Sequence, residues 1–324
     1  MPGQRLDAAK IARAIAGFVL ILSALSGCAS LPQSEALLRD RGASLPPRVQ
    51  LDNVPFFAQE EYQCGPAALA MSLGAAGVDA NPAELASQVY LPGRAGSLQV
   101  EMLAGARRHG LLAYVLAPEL KDVLAEIAAG NAVIVLQNLG LFASRPYWHY
   151  AVVTGYDLTK NEIVLHSGSK AHRAMSLGLF EFLWMDGGHW AMVSLPPRRA
   201  PASAREAPYA GAAVALEKTG HPKEAHQAYA TLLERWPDNL VGLMGLGNTD
   251  YALGNKAGAE RAFRSAAARH PLSAAAFNNL AQILAEQGKL DEALDAARKA
   301  VRLGGADLPA AKVTLEQIQA GLRD

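Results

Sequence analysis

Hydrophobic residues along the first part of the chain come in short blocks whose period changes from one block to the next. Residues 54–57 are an apolar, strand-like run. Polar residues follow, and from Cys64-Gly65-Pro66 the chain continues through Ala68, Leu69, Met71 and Leu73 in the pattern of a buried helix. Asn81-Pro82 reads as an N-cap with proline at the first helical position, opening a short helix to about Val89. Ser97 is placed to cap another helix, to about His109, closed by Gly110. Residues 111–116 predict a strand. Residues 118–129 predict a helix with Leu120, Val123, Leu124 and Ile127 on one face, and 132–136 a central strand. His149 opens a further strand, Lys160-Asn161 turn the chain back, and 162–165 form the partner strand. Residues 176–184 read as a helix with Leu177, Phe180, Leu183 and Trp184 on one face, and 190–195 as a closing strand. Helices first and strands later predict an α+β domain over residues 49–196.

Beyond a proline- and arginine-rich linker at 197–205 the pattern becomes periodic. Gly220, Gly254 and Gly288 lie 34 residues apart, and the same spacing aligns Ala225, Ala259 and Ala293. It also aligns Tyr209, Leu243 and Phe277, Tyr229 with Phe263, and Pro237 with Pro271. The period and these residues resemble the tetratricopeptide repeat, a helix–turn–helix unit. In this reading each glycine ends the first helix, the small alanine admits the second helix closely, and the proline ends it. Residues 206–324 thus predict an all-α solenoid of three repeats, with residues 312–322 as a capping helix. The third repeat has Ala297 and Gly305 where the aromatic and the proline stand in the others, which suits a terminal repeat. A solenoid of this length offers a short concave groove for a protein or peptide segment.

Composition narrows the function. The chain has 324 residues, 51% of them hydrophobic, enough for two domains. Its 30 basic and 30 acidic residues cancel, and no basic stripe with interleaved aromatics marks a nucleic-acid surface. The histidine spacings match no metal motif, and nothing calls for a cofactor. The two cysteines, Cys28 and Cys64, have separate explanations, so no disulfide is expected.

Cys28 belongs to the N-terminus. Arg5, Lys10 and Arg13 precede a short apolar run, Ile15 to Ala24, which ends in Leu25-Ser26-Gly27-Cys28. This order resembles the bacterial lipoprotein signal. The resemblance implies that residues 1–27 are removed and that Cys28 is lipidated; residues 28–48, with Pro32, Pro46 and Pro47, read as the lipidated cysteine and a flexible tether. With Ala29 and Ser30 rather than Asp after the cysteine, it implies the outer membrane, facing the periplasm.

Cys64 carries the chemistry. It sits where a loop becomes a helix, and the positive end of a helix favours thiolate over thiol. Gly65 would let a substrate approach the backbone. The stretch from Val54 through Gln59 to Cys64-Gly65-Pro66 resembles the active-site segment of papain-like cysteine peptidases, closest to the double-glycine (bacteriocin-processing) peptidase-like branch. His149-Tyr-Ala-Val152-Val-Thr-Gly155-Tyr156-Asp157 is similar to the histidine motif of that branch. The resemblance implies Cys64 as nucleophile, His149 as base and Gln59 as oxyanion donor, acting on a peptide or protein. It also implies an Asp or Asn just after the second strand to orient the histidine. That place reads Leu165-His166-Ser167-Gly168, so His166 stands where the carboxylate is expected. Three readings follow: His166 is a weaker orienter, Asp157 or another group substitutes, or the site is degenerate. The chain is accordingly either a lipid-anchored cysteine peptidase or a peptide-binding scaffold acting through its repeats.

Overall fold

The computed structural model describes residues 31–40, 45–58, 63–140 and 146–321. Seven strands form one antiparallel sheet: β1 (Arg48–Gln50), β2 (Leu112–Val115), β3 (Val133–Asn138), β4 (Trp148–Asp157), β5 (Glu162–Ser167), β6 (Lys170–Ser176) and β7 (Ala191–Leu195). Their order is β2-β7-β3-β4-β5-β6, and β1 pairs with the end of β4 beyond β3. The centre of the sheet, β3 and β4, is the apolar run expected of strands covered on both faces.

Helix α1 (Pro32–Arg39) precedes the sheet. Helix α2 (Cys64–Ala75) packs against β4, and its side chains from Ala67 to Leu73 are all buried, as a helix apolar on every side must be. Helices α3 (Pro82–Val89), α4 (Gln99–Arg108), α5 (Leu120–Ala128) and α6 (Leu177–Met185) complete the layer around the sheet. The Asn81 side chain accepts the Ala83 N–H at 2.9 Å, as its position predicts. Ser97 does not cap α4; the N-cap is Leu98, and the Ser97 carbonyl instead accepts the Tyr150 hydroxyl at 3.2 Å.

The expected tether departs most from the sequence reading. Within 28–48, α1 is docked on α6. Pro32 occupies the first helical position, and the next two N–H groups, of Gln33 and Ser34, donate to the two oxygens of Glu181 at 3.0 and 2.7 Å. Glu181 is 2% exposed, so a buried carboxylate and the positive end of a helix neutralise one another. Gln33 adds bonds to Leu120 N–H and the Pro118 carbonyl.

After β7 come three helical hairpins: α7 (Glu206–Glu217) with α8 (Pro222–Arg235), α9 (Leu240–Ala252) with α10 (Lys256–Arg269), and α11 (Ala274–Glu286) with α12 (Leu290–Leu303). Helix α13 (Leu308–Gly321) packs on the last pair. Gly220, Gly254 and Gly288 have φ of 80°, 79° and 76°, so each ends a first helix in the left-handed region that side chains avoid. Ala225, Ala259 and Ala293 are fully buried at the contact between helices.

The first hairpin is not hung on a loose linker. Tyr209, Leu216, Tyr229 and Leu232 belong to the same continuous core as the sheet domain. The connection is pinned by Glu126, fully buried, which accepts Ser203 N–H (2.7 Å), Ser203 hydroxyl (2.5 Å) and Asn131 amide (2.6 Å). Asn131 in turn accepts Arg199 at 2.7 Å. Half-exposed Arg205, bridging Glu119 and Asp122, contributes little beside this. Glu126→Ala leaves buried donors without an acceptor and is expected to cost about 2 kcal/mol. Urea unfolding measures this; an unchanged midpoint would mean that packing alone holds the hairpin.

Candidate active site

Cys64 occupies the first position of α2, with Gln63 as N-cap and the first helical bond running from Ala67 N–H to the Gln63 carbonyl at 3.2 Å. Its sulfur is half-buried against β4 and faces the backbone N–H groups of Tyr150, Gly65 and Cys64 itself, all of which favour thiolate. Burial opposes them and prevails, so the thiol is pushed up rather than down. The sequence expectation of a thiolate set by the helix end is therefore reversed. Gly65 also differs from its expected role. It is buried, and a side chain there would collide with Ser97, so the glycine serves close packing of α2 on the 97–98 segment rather than substrate approach.

His149 lies near the start of β4, 6% exposed, and lines the same cavity of about 740 Å³ as Cys64. Burial, aided by the positive charge of Arg173, lowers its pKa to about 4. The two shifts agree in sense: at rest the cavity holds a neutral thiol and a neutral imidazole. Tyr147 and Trp148, about half exposed, form part of the cavity wall with Leu98, and Arg94 is the one permanently charged residue among the described residues lining it.

The group bonded to His149 is Ser167, whose hydroxyl lies 2.9 Å from Nε2. His166 is turned elsewhere. Its Nε2 lies 3.3 Å from the Val54 carbonyl, its Nδ1 accepts the His172 N–H at 3.1 Å, and its ring packs edge-on to Phe56 and His172. The reason is the two-residue period of a strand. Val152 pairs with His166 and Val153 with Leu165, so His149 shares a face with Ala151, Val153, Leu165 and Ser167, while His166 shares the opposite face with Tyr150. The expectation that His166 orients His149 is corrected on this ground: His166 holds the 54–56 segment and β6. Asp157 does not substitute for it. Eight residues along β4 put it roughly 26 Å from His149, where it accepts Thr159 N–H, Thr159 hydroxyl and Lys160 N–H and closes the β4–β5 turn. Gln59 and Cys28 lie outside the described residues. Among the described residues no cluster of three or more potential metal ligands occurs.

A second cavity, of about 600 Å³, opens in the helical array between α9, α11 and α13. Asn248, Asn279, Gln282, Thr314 and Gln317 face it, with Ile283 and Ile318 as its apolar floor. Tyr251 closes one side, donating to Glu286 at 2.7 Å.

Comparison with known proteins agrees with both halves. The Peptidase_C39 like family matches residues 51–174, and a tetratricopeptide repeat family matches 244–307. No curated protein matches the chain. Among solved structures, a putative C39-like peptidase from Bacillus anthracis is 17% identical, covering 46% of this chain and 97% of its own, with a TM-score of 0.40. The first repeat domain of Spaghetti (RPAP3), bound to an HSP90 peptide, is 21% identical over 36% of this chain and 91% of its own, with a TM-score of 0.34. The Yersinia enterocolitica type III secretion chaperone SycD, in complex with a peptide of the translocator YopD, is 19% identical over 35% and 91%, with a TM-score of 0.33. The chain carries a C39-like peptidase domain followed by tetratricopeptide repeats.

Proposed function

We propose that the protein is a lipid-anchored cysteine peptidase whose repeats hold a substrate or partner segment. The observation that carries this is that Cys64, at the start of a helix, and His149, which is bonded to Ser167, line one cavity. In this reading the Cys64 thiol attacks the peptide carbonyl carbon while His149 takes its proton. Nε2 is engaged by Ser167, which leaves Nδ1 as the base. The oxyanion forms near the start of α2, where the Cys64 and Gly65 N–H groups beside the sulfur, and Gln59 five residues upstream, can donate. Collapse breaks the C–N bond, His149 returns the proton to the leaving amine, and water hydrolyses the thioester. The anchor is Cys28, at the outer membrane facing the periplasm. Since the resting pair is neutral, proton transfer accompanies substrate binding instead of preceding it.

A specific observation favours the other reading, a site that binds peptide without cleaving it: burial moves both groups away from the reactive ion pair, and the group bonded to His149 is a hydroxyl instead of a carboxylate. A soluble form beginning at Leu31, in which Cys64 is the sole cysteine, is incubated with a degenerate peptide library and the products read by mass spectrometry. Peptidase function gives cleavage that vanishes in Cys64→Ala. Retention of peptides with no cleavage by either form would establish the scaffold instead.

A further inference from the structure

Helix α6 is built inside out. Its sequence, Leu177-Gly-Leu-Phe-Glu-Phe-Leu-Trp-Met185, has a single charged residue, and that residue, Glu181, points inward to the end of α1. The outward positions are apolar. Leu179, Phe182 and Met185 are 42%, 37% and 38% exposed and recur every third residue, so they form one stripe along the helix. A helix on the surface of a domain ordinarily carries polar residues on that face; one apolar all round has an apolar surface to meet.

The place of the stripe says what that surface is. Leu31 lies against Gly178, the residue before Leu179, and α1 begins at the next position. Cys28 is three residues before Leu31. Three residues span at most about 10 Å, while the headgroup layer on each side of a bilayer is roughly 5–8 Å thick. A lipid on Cys28 therefore leaves the chain just enough length to cross the headgroups before it is fixed to α6 by the Glu181 carboxylate. The stripe is then held within reach of the bilayer at all times. We propose that Leu179, Phe182 and Met185 insert into the interface of the bilayer that holds the Cys28 lipid, so that the domain lies on the membrane in one orientation instead of swinging from a tether. This inference rests on the lipid-anchor reading. The intramolecular anchor raises the effective concentration of the stripe at the membrane, so side chains too few to bind alone suffice.

The test uses the full chain, matured in a bacterial host and reconstituted in phosphatidylethanolamine–phosphatidylglycerol vesicles. Nitroxide labels are placed singly at Leu179→Cys, Phe182→Cys and Met185→Cys in a Cys64→Ala background. Their collision rates with oxygen and with a water-soluble nickel complex are compared with those of the same labels in the soluble form beginning at Leu31. Insertion predicts that nickel collisions fall at least about threefold on the vesicles while oxygen collisions rise. Acylated protein that floats with the vesicles, with labels as exposed as in solution, overturns the insertion and leaves the anchor standing. A mature chain with no acyl mass on Cys28 and no flotation overturns the anchor and the inference with it. Because the three positions are exposed and read separately, failure of one variant to fold leaves the other two to decide.

Discussion

Ser167→Asp is expected to raise the rate of Cys64 alkylation at pH 7 by at least about tenfold. The hydroxyl lies 2.9 Å from His149 Nε2, so a carboxylate there is within direct bonding reach of the imidazole. An opposite charge at that range favours the charged form by about 1–3 pH units. The pKa of His149, now held near 4 by burial and Arg173, would rise toward its ordinary value. Its imidazolium would in turn favour the Cys64 thiolate, and each unit by which the thiol is lowered gives about ten times more of the reactive form at pH below its pKa. Iodoacetamide rates from pH 5 to 10 measure the thiol, and NMR titration of the imidazole measures His149 separately. The double variant Ser167→Asp/His149→Ala should fall back to the rate of the parent chain. If His149 titrates higher while alkylation stays unchanged, the two side chains share a cavity without sharing a proton, and the peptidase reading loses its base.

The same residue marks where the sequence was readable and where it was misread. Cys64 and His149 stand in motifs whose local order, turn to helix and polar to apolar strand, places them without knowledge of the rest. The partner of His149 needed one more step. In antiparallel strands the residues of one face are fixed once a single pair is known, and a pairing of Val152 with His166 puts Ser167, not His166, on the face of His149. Counting back from the Lys160-Asn161 turn could have suggested that parity, although the register shift between Val153 and Gly155 obscures it. The repeats were legible for a different reason. Each hairpin meets chiefly its neighbours, so glycine at the turn and alanine at the contact recur at a fixed spacing.

Elements specified by distant contacts were not legible. Helix α1 is held by Glu181, 148 residues from Gln33, and nothing local in a proline-flanked polar stretch announces that carboxylate. Strand β6 is almost wholly exposed, so it lacks the alternation by which a strand is recognised; it exists because β5 offers it an edge. In α6 the buried face was legible, but the consequence of an apolar outer face emerges only when α1 is seen to begin beside it.

Lowering the pH from 7 to 4.5 is expected to cost the folded domain about 2.5 kcal/mol through His149 alone. The sign follows from the two states. Unfolded, the imidazole binds its proton near its ordinary value of 6.5; folded, it does so only near 4. Between these values the unfolded chain holds more protons, so stability rises with pH there, is complete above about 6.5, and is lost progressively as pH falls toward 4. Burial lowers His166 as well, which adds loss of the same sign. Urea midpoints for the soluble form at pH 7 and 4.5, beside those of His149→Gln, isolate the term: the variant should lose less of its stability between the two pH values by about that amount, whatever its absolute stability. Equal slopes in both would mean that His149 is free to protonate when folded. The two predictions constrain one another. A carboxylate at position 167 that brings His149 back toward 6.5 must also remove its share of the acid slope, since one folded-state pKa governs both. A chain in which Ser167→Asp activates Cys64 but keeps the His149 slope would show that activation reaches the thiol by a route other than the imidazole.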